Sequence, residues 1–315
     1  MNPNDSRPIK GRSLRLAKSL PLCLFTVALL ASRSPAAENS HSATASNAYT
    51  FTPISLCASC STLPIGITAN GLISGLYFDA IGNLHAFVAR NGNYLTVDVP
   101  GALFTEAGRS NEPGQTAGDY LAADGIDRPF VRNRDGSFSL RNGAPGASVT
   151  IGNDINNRGD VLGWFTTDPN GQTGFQGYVL RGNNYILTFA YPEADVTNTF
   201  AIGFNQAGTI VGSFTTTTPG VEHGFVRSAD GRFTQLDFPD SVQTEAFGIN
   251  DAGDIVGRYQ DSAGTEHGFL LRNGQFTSID APPGPDTFAF GINSRGDIVG
   301  FSVTVSGQDI GFLAR

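Results

Sequence analysis

The residues able to do chemistry in this 315-residue chain are few, and most recur at fixed spacing. His85, His223 and His267 each open a His-Gly/Ala-Phe tripeptide. Histidine is the commonest metal ligand and the usual acid–base group near neutral pH. These three fall in separate repeats, on a strand away from any common axis, so they do not converge. A structural role near a turn is favoured, and no metal site is expected. His41 sits in a small polar stretch. Asn250 with Asp254, and Asn293 with Asp297, have a spacing that suggests a calcium loop. Calcium takes six or more oxygens, usually from several acids in one loop. The equivalent pairs Asn205/Thr209, Asn111/Gln115 and Thr68/Leu72 do not sustain the acid. Asx residues also shape turns locally, and that reading is favoured.

Cys57 and Cys60 form a C-x-x-C. Redox chemistry would place it beside a βαβ pattern, which is lacking here, and zinc needs more ligands than two thiols. The segment Phe51 to Ile67 aligns without a gap with Phe276 to Ile292, so the cysteines replace the loop between Pro282 and Pro285. A local disulfide stiffening that loop is expected. There is no G-x-S-x-G motif. Asp98, Asp237 and Asp280 recur at equivalent sites, where capping of the following loop is favoured over catalysis. Chemistry usually breaks repeat symmetry, which points to the third and longest repeat. It holds the only tryptophan, Trp164, with Tyr178, Tyr185, Tyr191, Glu193 and Asp195. Aromatic rings beside carboxylates suit a sugar or peptide, which nominates Trp164, Tyr178, Tyr191 and Glu193 as a ligand-binding set. The simpler reading has Trp164 packing between blades, as Tyr77, Tyr120, Phe214 and Tyr259 would in the equivalent region.

The elements that must position these residues come from a block written six times. It starts at Gly66, Arg109, Asp154, Gly203, Gly248 and Gly291, and a threonine stands four residues before each start, from Thr62 to Thr287. Such a period, filled with short β patterns, means a propeller or a solenoid. The fifth copy shows four strand candidates: Thr244 to Asn250, Asp254 to Gln260, His267 to Arg272 and Gln275 to Asp280. Short turns join neighbours, including Asn273-Gly274, a strong hairpin signal. Longer proline-bearing stretches, such as Ala281 to Thr287, connect one copy to the next. A four-stranded meander with a crossover is a propeller blade. Blades are expected near 62–98, 105–141, 150–189, 199–237 and 244–280. A sixth, from Thr287 to Arg315, has only three strands, and its fourth must come from Tyr49 to Ser55. The fold class is therefore all-β: one six-bladed propeller over residues 48–315, closed by pairing of the N-terminal strand with the C-terminal blade.

The chain's start reads differently. Arg7, Lys10, Arg12, Arg15 and Lys18 precede an apolar run from Leu20 to Ala31, and small residues suited to cleavage follow at Ala36 and Ala37. This is the pattern of a signal peptide over 1–37, too short to span a bilayer. Residues 38–47 read as a flexible tail. A secreted or periplasmic protein follows, not inserted in a membrane, monomeric, and without a cofactor. Beyond residue 37 there are 14 arginines, no lysine and 27 acids, a formal charge of −13. So acidic a domain is not built to hold nucleic acid.

The His-Ala-Phe of the first repeat, its His-Gly-Phe relatives and the block Gly248 to Gly257 (GINDAGDIVG) resemble the family of extracellular HAF repeats, over about Tyr49 to Arg315. The likeness is looser in repeats two and three, where Arg128-Pro129-Phe130 and Gln176-Gly177-Tyr178 stand at the tripeptide. The resemblance implies export and a repeated β architecture, with no catalytic residue to carry over. The function expected is a non-enzymatic module that binds or scaffolds an extracellular protein or glycan through its loops. The alternative is a hydrolase or lyase acting on a polysaccharide or peptide near the third repeat.

Overall fold

The computed structural model describes residues 49–315. The expected signal peptide and the whole of the tail over 38–47 lie outside the described residues. Within them the chain forms six antiparallel four-stranded sheets arranged as a propeller. Blades one to five occupy 61–96, 104–140, 149–189, 196–236 and 243–279, each ordered as a meander. In blade five the strands are Gln243–Ile249, Ile255–Gln260, Glu266–Arg272 and Gln275–Ile279, within a residue or so of the expected bounds. The last blade holds Asp286–Ile292, Ile298–Val303 and Asp309–Ala314, and Phe51–Ile54 completes it. Phe51 faces Ala314 and Ile54 faces Gly311 in that ladder, while Thr50 and Arg315 exchange backbone hydrogen bonds just beyond it. No helix among the described residues is long and apolar enough to cross a membrane.

Each conserved letter of the block has a mechanical reason. The six threonines are buried, and each Oγ1 accepts from the backbone N–H of the preceding crossover: Leu56, Val99, Ala144, Tyr191, Phe238 and Ala281. A buried amide left without a partner would cost about 1–3 kcal/mol, so the threonine ties each crossover to the strand that follows. Two or three residues on, every first strand carries a β-bulge. Bulges bend a strand and free carbonyls from the ladder. The first strands of neighbouring blades meet here, around the axis.

The block's asparagine acts in two directions. Asn250 Oδ1 accepts from Ala252 and Asp254 N–H, closing the turn, while its Nδ2 donates to Asn293 O of the next blade at 3.1 Å. Asn111 donates likewise to Asn156 O, Asn205 to Asn250 O, and Asn293 to Thr68 O, which crosses the closure between blades six and one. This is turn chemistry, as expected, extended into a ring of inter-blade bonds. The end of the molecule bearing these turns, and the hairpin turns between third and fourth strands, is called here the turn face. The opposite end carries the remaining hairpins and the crossovers and is the crossover face. On it Cys57 and Cys60 form a disulfide, with Cα atoms 5.2 Å apart.

Candidate functional site

Three places bring together side chains with chemical potential: the axis, the seams between blades, and the turn face. At the axis the block normally starts with glycine, but blade two has Arg109 and blade three Asp154. Arg109 is buried and reaches across the ring. Its Nη1 donates to Ile202 O at 2.8 Å, and its Nη2 to Phe247 O and Phe290 O at 2.8 and 2.7 Å. Those are bulge carbonyls of blades four, five and six. On the neighbouring blade one, a Cβ at Gly66 would lie 2.9 Å from the Arg109 Cα, so a side chain there would force the two strands apart. Asp154 accepts from the N–H groups of Ile155 and Phe204. Burial raises its carboxyl to about 6, against the pull of the Arg109 charge. The axis is thus filled by protein.

The seams hold two buried ionisable clusters. In blade two Glu106, Asp119 and Asp127 are all within 2 % of full burial. Burial and the neighbouring carboxylates Glu106 and Asp127 push Asp119 well above the usual range, and burial raises Asp127 to about 7. One oxygen on each of Asp119 and Asp127 lacks a partner, which fits protonated carboxyls. In blade five Arg258 bonds both Glu245 and Glu266, the latter at 2.5 Å, while Ser213 of blade four donates to Glu222 at 2.6 Å. Burial raises Glu222 and Glu245 despite the Arg258 charge beside them. Three carboxyls share one guanidinium there. Among the described residues no group of three or more His, Cys, Asp or Glu side chains is disposed to hold a metal ion.

The histidines form clamps on the crossover face. The Nδ1 atoms of His85, His223 and His267 lie 2.9, 3.0 and 2.7 Å from Asp98, Asp237 and Asp280, and each ring packs on an aromatic of the second strand: Tyr77, Phe214 and Tyr259. His267 also faces Asp261 through Nε2 at 3.4 Å. Its two ring nitrogens point at different carboxylates, and those carboxylates raise its pKa. In blade two Arg128 takes the histidine's place and holds Asp124 with two bonds. The recurring aspartates therefore clamp the third strand, where sequence alone suggested loop caps. The partners are 13 or 14 residues apart, and only the meander register shows that they meet.

The third-repeat set is dispersed. Trp164 is 3 % exposed and packs edge-on against Phe175 and Phe200, toward blade four. Tyr178 is fully buried on the opposite sheet face with Ala117 and Val131, its hydroxyl donating to Ile151 O at 2.8 Å. Tyr191 stacks on Phe214 at 3.9 Å. Glu193 alone is exposed, on the crossover to blade four. The strand register also corrects an equivalence. Trp164 faces Gly177 as Arg258 faces Gly268, so its counterparts are Leu76, Asp119, Ser213, Arg258 and Phe301. Phe165 is the counterpart of Tyr77, Tyr120, Phe214 and Tyr259.

An open depression of ≈ 520 Å³ lies on the turn face of blade two, lined by Gln115, Asn133, Arg134 and Asp135. The first and last turns of the blade build it. Gln115 Nε2 donates to Asn133 Oδ1 at 3.2 Å, and Asn133 Nδ2 donates to Ser137 and Ser139. Asp135 accepts from the Ser137 hydroxyl and N–H, which hold its carboxyl below the usual range. Arg134 lays its stem over Gly114 and leaves its head exposed. Sequence reading missed these residues because they are ordinary turn residues that only the fold gathers.

No protein-family model matches the sequence, and no curated protein matches it. The fold has solved counterparts. A putative gluconolactonase superposes with TM-score 0.51 at 14 % identity, covering 85 % of this chain and 93 % of that one. A mutant of AofleA from Arthrobotrys oligospora gives 0.52 at 15 %, covering 86 % and 88 %. The six-bladed fungal lectin of Aleuria aurantia, described with a novel mode of fucose recognition, gives 0.50 at 13 %, covering 82 % and 92 %. At these identities the likeness establishes the propeller fold alone.

Proposed function

We propose that the protein is an exported glycan-binding module of HAF-repeat type that takes a sugar chain in the turn-face depression of blade two. The depression carries the reading: Gln115, Asn133, Arg134 and Asp135 offer amide, guanidinium and carboxylate groups around one opening. That mixture of donors and acceptors suits vicinal hydroxyls, and the volume suits a few sugar rings. The axis is occupied by Arg109, and the recurring histidines and aspartates are engaged in clamps, so loop residues are the groups left to meet a ligand. The fold likeness to the Aleuria aurantia lectin supports a sugar as ligand and no particular sugar. The signal-like start supports export. In a thermal-shift screen against a glycan panel, at least one glycan raises the melting temperature of the native protein. The shift is lost in Gln115→Ala or Asn133→Ala and kept in Glu193→Ala, on the opposite face. Shortened products after incubation with that glycan would replace this reading with the hydrolase or lyase alternative.

A further inference from the structure

Every blade has an arginine at or just past the end of its third strand: Arg90, Arg132, Arg181, Arg227, Arg272 and Arg315. All six therefore stand on the turn face. In blades three, five and six an aspartate in the adjoining turn answers them. Asp160 binds Arg181 at 2.7 Å, Asp254 binds Arg272 at 2.9 Å, and Asp297 lies 3.5 Å from Arg315. In blades one, two and four that aspartate is replaced by Leu72, Gln115 and Thr209. Arg227 of blade four instead lies over the Phe189 and Phe233 rings. Arg90 donates to the neutral Asn70, and Arg132 to the Asn133 carbonyl. Among the described residues none of Arg90, Arg132 and Arg134 forms an ion pair within 4 Å. Arg134 lines the depression, Arg132 bonds the carbonyl of its neighbour Asn133, and Arg90 stands on the same face of the adjoining blade.

We propose that this arc over blades one and two binds an acidic polysaccharide, its arginines engaging the sugar carboxylates while the depression takes the hydroxyls. The inference rests on the glycan reading above and names its ligand class. Guanidinium matches carboxylate geometry with paired hydrogen bonds. Two acids share the arc: Glu112, whose Oε1 accepts from Ala69 N–H, and Asp135, held by Ser137. The amides of the depression and Asp135 take vicinal hydroxyls, which a phosphodiester backbone lacks, and so favour a chain that carries carboxylates and hydroxyls on the same rings.

The test is calorimetric titration of the whole protein with oligogalacturonate, with neutral maltooligosaccharide and a single-stranded DNA oligomer as comparators. Oligogalacturonate is expected to bind, weakening about tenfold between 50 mM and 500 mM salt. Arg90→Gln and Arg134→Gln each weaken it about fivefold or more, and Arg272→Gln, whose arginine is already answered by Asp254, leaves it unchanged. Equal, salt-insensitive binding of the neutral sugar overturns this inference and leaves the glycan reading standing. Binding of neither sugar overturns this inference, and only the absence of a shift across the whole glycan panel overturns the glycan reading with it. Tighter binding of DNA, or an Arg272→Gln loss as large as that of Arg134→Gln, overturns the acidic-glycan arc.

Discussion

At the scale of single residues, the departures from the repeat are where burial and charge conflict. Arg109 replaces a glycine and satisfies three carbonyls that the bulges leave without ladder partners. Arg109→Met removes those donors and the counter-charge to Asp154. It is expected to cost about 3–5 kcal/mol, read from urea unfolding followed by Trp164 fluorescence. Trp164 is suited to that use because its burial gives a large spectral change on unfolding, whereas a surface ligand would not touch it. The buried carboxyls set a pH dependence. Asp127 at about 7 and Asp154 at about 6 have folded pKa values above the unfolded value near 4. Between those limits the folded state binds more protons, so stability falls as pH rises from about 4 to about 7 and levels above. His267, also raised, acts in the same direction. Asp160 is held near 2, chiefly by Arg181, and its contribution is lost only as pH falls below about 4. The melting temperature should therefore be higher at pH 5 than at pH 8. Asp127→Asn should shrink that gap, adding on the order of 1–3 kcal/mol at pH 8; an equal gap in wild type and variant would contradict the assignment.

At the scale of elements, the repeat explains itself through hydrogen bonds that lie beyond any one copy. Asn250→Ala removes both the turn closure and the bond to Asn293 O, and should cost about 1–2 kcal/mol in chemical denaturation. Asn250→Asp keeps the turn acceptor but loses the donations to Asn293 O and to Asp254 Oδ2, and sets two carboxylates side by side, so at neutral pH it should recover none of that loss. The strands, hairpins and crossovers were legible in the sequence because they depend on local signals: Asn-Gly turns, alternation, and proline in the crossovers. The clamps were less so. Histidine at the start of one strand and aspartate at the end of the next announce nothing until a register is known. The offset between Trp164 and Phe165 shows the same limit, since a shift of one residue exchanges the two faces of a strand. The depression was illegible for a different reason: Gln115 and Asn133 are turn residues with no unusual type or spacing. The Arg109 contacts span up to 181 residues, a separation no local pattern encodes.

At the scale of the whole molecule, two of the features that close the ring stand well apart. One is the ladder of Phe51–Ile54 against Asp309–Ala314 on the outside, and the other is Asn293 donating to Thr68 O near the axis. Deleting residues 49–55 removes the first and leaves the second. The variant is expected to keep a β-rich circular dichroism spectrum, to melt several degrees lower, and to aggregate through the bared edge of the last blade. A melt and solubility equal to the parent would show that the outer ladder contributes nothing. The same arrangement fixes an order of events in synthesis. The ribosome delivers Phe51–Ile54 before anything it can bind, and its partner Asp309–Ala314 is the last of the described strands to appear. Until that strand has been made, the growing polypeptide carries its own latch with no catch.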